Sequence, residues 1–259
     1  MGKNYREKVK FDDINLYNHS LTDAFASVCL HGKEMTVQNR ELLNPADVAG
    51  NIGTPGVAPK AWVRRDGIFN LYKDGADRDV DAEILASKIM DCFKVKHVSY
   101  KEDFYDGKKV SASRLITSID HSIVPAEYVE IYAINHDTDP HSIAYELGWY
   151  DYHMMIIMDY LIGNSDRHWA NWGFLVDNET NKLLGLYPLM DFNKAFKAYN
   201  SMNGGLCLPS GGMMSQQYSA QASVRAVGLN QISEVKEEWF DDPGKWEMFQ
   251  KRLSYLKLV

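Results

Sequence analysis

The sequence predicts an α+β chain built in two parts, a small β-rich part followed by a mainly helical one. Three observations predict it. Between residues 61 and 118, short apolar runs flank Asp66-Gly67 and Asp106-Gly107, the turn chemistry of hairpins. Beyond residue 118, apolar residues recur at helical spacing in long runs. Asp139-Pro140 and Asp242-Pro243 each place an N-cap before a proline, which marks a helix start. The boundary is placed at 118, giving 1–118 as the β-rich part and 119–259 as the helical part.

Within the first 50 residues, "FASVCLHGKEMTV" reads as a strand pair turning at His31-Gly32. "GNIGTPGVAPK", rich in Gly and Pro, is a loop. "AWVRRDGIFNLYK" is a hairpin. "VDAEILASKIMDCF" carries Val80, Ile84, Leu85 and Ile89 at helical spacing. "HVSYKEDFYDGKKVSASRLI" gives a second strand pair. "VPAEYVEIYAINH" is expected to be helical, and a long buried helical segment follows Asp139, with a break expected at Gly148. "WGFLVDNETNKLLGLYPLMD" is a hairpin with "NETN" at its tip. Residues 200–228, rich in Gly, Ser, Met and Gln, read as loop, and the last 30 or so residues as two helices.

The 259 residues contain 45% hydrophobic and 24% charged side chains, enough apolar material for a sizeable core. The net charge of −7 and the absence of a Lys/Arg block argue against direct nucleic-acid binding. Cys29, Cys92 and Cys207 are scattered and form no metal spacing, which fits a reduced, cytoplasmic setting. The N-terminus is polar and matches neither a secretory leader nor a myristoylation pattern. No apolar run is long enough to span a membrane.

The stretch "NSDRHWANW", Asn164 to Trp172, stands out against this background. It packs two Asn, an Asp, an Arg and a His between a buried helix and a strand. Asp166 and Asn171 are five apart, and the following hairpin returns the chain to Asp191. Paired strands joined by a tight turn start and finish close together. Asn171 and Asp191 are therefore expected to be neighbours, with Asp166 beside them. One amide oxygen and two carboxylates suit Mg²⁺, which takes a few hard oxygens plus water and phosphates. Asp166, left off the metal, could accept a proton from an attacking hydroxyl. His168 would orient Asp166 or brace the loop. Protein kinases order a catalytic Asp, an Asn and a metal-binding Asp in this way. Lys73 at the end of "IFNLYK" and Glu83 on the next helix match the strand-Lys and helix-Glu pair of the same chemistry. The Gly-rich loop before them could offer backbone N–H groups to phosphate.

These segments resemble the HipA-like serine/threonine kinases. "NSDRHWAN" fits that family's Asn-x-Asp-x-His-x-x-Asn motif, which adds Asn164 to the catalytic set. "GVAPKAWVRRDGIFNLYK" looks like its Gly-x-x-x-Lys loop and lysine strand, which points to Gly53, Gly56 and Lys60 at the phosphates. "SRLI" is similar to the strand entering the nucleotide hinge, placing Leu115 and Ile116 near adenine. "LYPLMDFN" resembles the segment that ends in the metal-binding Asp, with Asn193 where Gly or Ser is common. The resemblance runs over residues 50–200. It implies a two-lobed protein-kinase-like fold, ATP and Mg²⁺ as cofactors, and a protein Ser/Thr acceptor. Some members of the family are toxins, so an antitoxin-like partner is also implied.

Plainer readings stand beside these. "NSDRHWAN" alone could be a capping turn; Lys73 and Glu83 alone could be solvated, and the glycines mere turns. His136 and His141 around "DTDP" read as incidental to a helix start, and "HMMIIM" as core packing. Two rival functions also remain open. A catalytically silent kinase-like module would bind nucleotide or a partner without turnover. A metal-dependent phosphoesterase would need histidines late in the chain, and none follows His168. A lipid or small-molecule hydroxyl is an alternative acceptor.

Overall fold

The computed structural model describes residues 59–65, 67–74, 77–197 and 199–259. The strand pair expected around His31-Gly32 and the loop glycines Gly53 and Gly56 lie outside these residues. The described chain is mixed α and β, with two antiparallel sheets and five α-helices. It divides into two compact units: the described part of Met1–Val80 with Tyr100–Leu115, and Asp81–Ser99 with Ile116–Val259. The chain passes into the second unit for the last time after Leu115. Asp81–Ser99, however, groups with the helical unit and not with the sheet that flanks it in sequence.

The first unit is a four-stranded sheet in the order β1-β2-β4-β3. Its strands are β1 (Lys60–Arg65), β2 (Ile68–Lys73), β3 (Tyr100–Tyr105) and β4 (Lys108–Arg114). Both expected hairpins form. Asp106 and Gly107 turn the second one with φ of 49° and 75°, left-handed values that match the twist of a tight hairpin. Alternation along the strands puts Ala61, Val63, Tyr72, Tyr105 and Val110 into one core. Further along the same face, Arg65 pairs with Asp103 at 3.1 Å and lies over the Tyr72 ring.

Helix α1 (Asp77–Met90) leads into the second unit. Its apolar spacing is real, and burial extends nearly all round it, from Val80 through Leu85 to Met90. The chain after it is stitched to later segments. Val98 N–H donates to Leu189 O at 2.8 Å, Leu189 N–H to Lys96 O at 2.9 Å, and Lys94 N–H to Asn230 O at 2.9 Å.

A second sheet orders β5 (His121–Pro125), β6 (Gly173–Asp177) and β7 (Leu183–Leu186) in sequence order. The β6–β7 hairpin and its "NETN" tip appear where expected. Asp177 holds that tip by accepting from the Glu179 and Thr180 N–H groups at 3.0 and 2.7 Å. β5 was not expected: Val124 and Pro125 extend along β6, and only Ala126–Ile134 forms helix α2. The cross-strand partner that makes β5 a strand is about fifty residues away, so no local pattern announces it. Gly173 is required at this junction, because a Cβ there would run into Val124 O.

Helix α3 (Pro140–Ile162) is the axis of the unit. Asp139 caps it, accepting from His141 and Ser142 N–H at 2.9 and 3.1 Å. Gly148 breaks it as expected, with φ −156° and ψ 45°. Every residue from Tyr152 to Ile162 is buried, the mark of a helix surrounded on all sides.

Two expectations fail beyond it. Residues 200–228 are not simply loop: Gln216–Val227 forms helix α4, capped by Ser215 and packed on α3 through Ser219, Ala220 and Ser223. Small polar residues make that contact, so the sequence shows no apolar stripe. The chain end gives one α-helix, α5 (Pro243–Lys257), not two. Before it, only Glu237–Trp239 makes a short 3₁₀ turn, because 230–234 runs extended against Cys92 and Phe93. Among the described residues no helix is long and apolar enough to cross a membrane.

Candidate active site

The loop from Gly163 to Trp172 joins the end of α3 to β6. Gly163 ends the helix in the left-handed conformation, with φ 63°. A side chain there would also strike the Tyr199 ring. The chain therefore leaves the helix at a fixed point and in a fixed direction.

Arg167 organises the rest of the loop. It is 1% exposed, and its Nε and Nη2 bind both oxygens of Asp159 at 2.9 and 3.0 Å. Such two-point pairing of a guanidinium and a carboxylate fixes orientation as well as distance. The third nitrogen, Nη1, donates to Asn171 O and to Met190 O, each at 2.6 Å. One nitrogen thus holds the backbone of Asn171 and the backbone immediately before Asp191 within a few ångströms of each other. The hairpin supports this closure, with Tyr187 N–H donating to Gly173 O at 3.1 Å. Burial by itself would lower the Arg167 pKa. The Asp159 carboxylate outweighs it, with smaller help from Tyr187 and Asp191, and the guanidinium is held firmly charged.

The sequence-predicted residues of the loop take distinct places. Asn164 is fully buried; its Nδ2 donates to Asp159 Oδ1 at 3.0 Å and its Oδ1 accepts from Asp166 N–H at 3.4 Å. It shapes the loop from inside. Asp166 is half exposed, with its carboxylate at the surface of the loop. Asn171 donates its side-chain N–H to Asp166 O at 2.8 Å, so its Oδ1 is the atom free to meet a cation. Asp191 adopts φ 63°, a left-handed backbone that side chains other than Gly, Asn and Asp rarely accept. Of the two roles expected for His168, the geometry fits the loop brace. Its Nδ1 accepts the Ala170 N–H at 3.3 Å, which braces the turn, but Nε2 stays 4.0 Å from Asp166 and makes no hydrogen bond to it.

The strand and helix residues divide between the two units. Lys73 belongs to the first unit, is 7% exposed, and has Nζ 3.5 Å from the Tyr100 hydroxyl and over its ring. It is not a solvated strand end. Glu83, in the second unit, is 1% exposed and likewise not a solvated helix residue. Lys60 opens β1 in register with Lys73, so it sits on a strand and not in the glycine loop. Leu115 and Ile116 follow β4 and are half-buried.

Three contributors were not anticipated. Asp159 and Arg167 form the buried brace. Gln216, first residue of α4, donates from Nε2 to Asn164 O at 2.7 Å and accepts Gly205 N–H at 3.0 Å, clamping the loop from the far side. A lone Asp inside "MMIIMDYLIG" was the only advance signal of the brace. Among the described residues no three His, Cys, Asp or Glu side chains gather as a metal cluster. The candidate donors are instead one amide oxygen and a carboxylate, hard oxygens of the kind Mg²⁺ accepts alongside phosphate oxygens.

Solved structures match the chain in part, among them the two that follow. The Helicobacter pylori proinflammatory kinase CtkA aligns over 56% of this chain and 57% of its own, at 18% identity and a TM-score of 0.48. HipA of the Shewanella oneidensis MR-1 toxin–antitoxin system, solved with HipB and its operator DNA, aligns over 81% of this chain and 65% of its own, at 12% identity and a TM-score of 0.47. The chain therefore spans 57% and 65% of those two chains. No family model matches the sequence, and no curated protein matches it.

Proposed function

We propose that the chain is an ATP- and Mg²⁺-dependent phosphotransferase, a HipA-like kinase acting on protein Ser or Thr. The observation that carries the reading is the Arg167 brace, which ties the Asn171 backbone to the Met190–Asp191 backbone while Asp166 stays at the surface. That is the disposition phosphoryl transfer asks for: positioned oxygens for a cation, and a carboxylate beside them with access to a hydroxyl. In this reading Asn171 Oδ1 and the Asp191 carboxylate hold Mg²⁺, which neutralises the nucleotide phosphates. Asp166 orients the acceptor hydroxyl and takes its proton as the bond to phosphorus forms. Asn164 and His168 keep the loop in shape. Lys73, Glu83, Lys60, Gly53, Gly56, Leu115 and Ile116 keep the nucleotide-side roles that the sequence resemblance suggests. An antitoxin-like partner and a cytoplasmic setting are parts of the same proposal.

The test is a thermal-unfolding shift for wild type and Asp191→Asn with ATP, with Mg²⁺ and with both. A ligand that binds only the folded state raises the midpoint by mass action. The reading expects a rise that needs both ligands and disappears in Asp191→Asn. Asp166→Ala should keep the rise and lose transfer, and Lys73→Met should lose transfer with the fold intact. An unchanged midpoint at millimolar Mg·ATP would reject the proposal. A shift without transfer to any acceptor would favour the silent binding module.

A further inference from the structure

We infer that Arg252, on the C-terminal helix α5, is a positioning residue for the loop that carries Asp166. Its catalytic consequence rests on the phosphotransferase reading; the positioning itself rests on geometry alone.

An α-helix ends with four carbonyls that lack intrahelical donors. In α3 these belong to Asp159, Tyr160, Leu161 and Ile162, and all four are met. Asn164 N–H reaches Asp159 O at 2.9 Å, and Phe196 N–H reaches Ile162 O at 3.0 Å. The Tyr199 hydroxyl donates to Leu161 O. Tyr160 O takes Gly163 N–H at 3.2 Å and, more closely, Arg252 Nη1 at 2.5 Å; Arg252 Nη2 donates to Ser201 O at 2.6 Å. The guanidinium lies over the rings of Tyr199 and Tyr160, 4.3 and 4.9 Å from their centres. Arg252 Nη1 also stands 3.2 Å from a Cβ built on Gly163, the residue at which helix becomes loop.

Arg252 is fully buried, and no carboxylate among the described residues pairs with it; burial lowers its pKa, opposed only by Tyr199 and Tyr160. An uncompensated buried cation is costly, and an apolar side chain would fill the same volume. The charge grips the negative end of α3 and the chain at Ser201 together. The helix exit toward Asp166 and the segment that follows Asp191 are thereby fixed to one post, from a helix that reaches neither reacting group.

Hydrogen–deuterium exchange of the ligand-free protein tests this, with wild type, Arg252→Met, Arg252→Lys and the control Leu256→Ala, which empties a buried site on the same helix. Arg252→Met should speed exchange about tenfold in 163–172 and 199–201 and little elsewhere. Arg252→Lys, which keeps the charge but not the fork, should fall between. Leu256→Ala should loosen α5 without singling out the loop. If Arg252→Met leaves the loop unchanged, or loosens the molecule as Leu256→Ala does, the inference is wrong. Should Arg252→Met not fold, Tyr199→Phe removes only the hydroxyl on Leu161 O and should give the same local pattern at smaller size; no local rise would overturn the inference. In turnover, Arg252→Met should lower kcat with the KM for Mg·ATP nearly unchanged, and an unchanged kcat would also count against it. A wild type that turns over no ATP sinks the phosphotransferase reading, while the exchange pattern still decides the positioning.

Discussion

Arg167 and Arg252 are both buried, and both hold the region where α3 gives way to the loop, but they are compensated differently. Arg167 faces a carboxylate, and its remaining nitrogen spans two carbonyls. Arg252 has two carbonyls and two tyrosine rings, and no counter-ion among the described residues. Arg167 fixes the far end of the loop, near Asn171 and Asp191, and Arg252 fixes its start. The end that would meet a doubly charged cation is thus organised by a full ion pair. The end that only steers the backbone is organised by dipoles and rings.

Substitutions can break or sharpen this comparison. Asp159→Ala strands the Arg167 charge in the core and should cost about 3–5 kcal/mol, read as a loss in denaturant midpoint. A cost below that of Arg252→Met would invert the ranking of the two arginines. Gly163→Ala imposes a side chain on a left-handed residue, about 1–2 kcal/mol. It also pushes on Tyr199 and Arg252, so the total should be about 2–4 kcal/mol with overpacking included. Arg252→Met removes the shorter of two donors from Tyr160 O and from Ser201 O, which keep Gly163 N–H at 3.2 Å and Gly204 N–H at 3.4 Å, and it strands no charge, so about 1–3 kcal/mol is expected.

The smallest effect is a pH dependence that neither arginine supplies. Burial lowers the pKa of His153, and of His141, where Asp139 partly opposes it. The unfolded chain then binds protons first, so stability is complete above about pH 6.5 and falls as pH drops below it. Thermal midpoints between about pH 7.5 and 5.5 should show a decline that His153→Gln makes shallower; an identical decline would assign it to other groups.

Much of the loop's geometry was legible because it is local. Asp166, Asn171 and Asp191 sit at spacings set by a turn and a hairpin, and the hairpin's tip announces itself in "NETN". Hairpins β1–β2 and β3–β4 were legible for the same reason. The hidden features depend on distance along the chain. Asp159 reads as an oddity in an apolar run until Arg167 folds back on it. Gln216 and the helix behind it look like loop, since Ser and Ala do the packing that Leu and Val usually signal. β5 exists only because β6 pairs with it. Spacing left two roles open for His168, and only the folded loop, with Nδ1 on Ala170 N–H and Nε2 4.0 Å from Asp166, separates them.

The backbone at Asp191 sets a rule for what can replace it. With φ at 63°, position 191 discriminates first by conformation and only then by charge. Asn and Gly can occupy it without bending the chain, although neither brings a carboxylate. Glu brings the carboxylate but must hold a side chain where the turn disfavours one. A saturation library at this position should therefore sort along two independent axes, folding midpoint and Mg·ATP-induced shift, with Asp alone high on both.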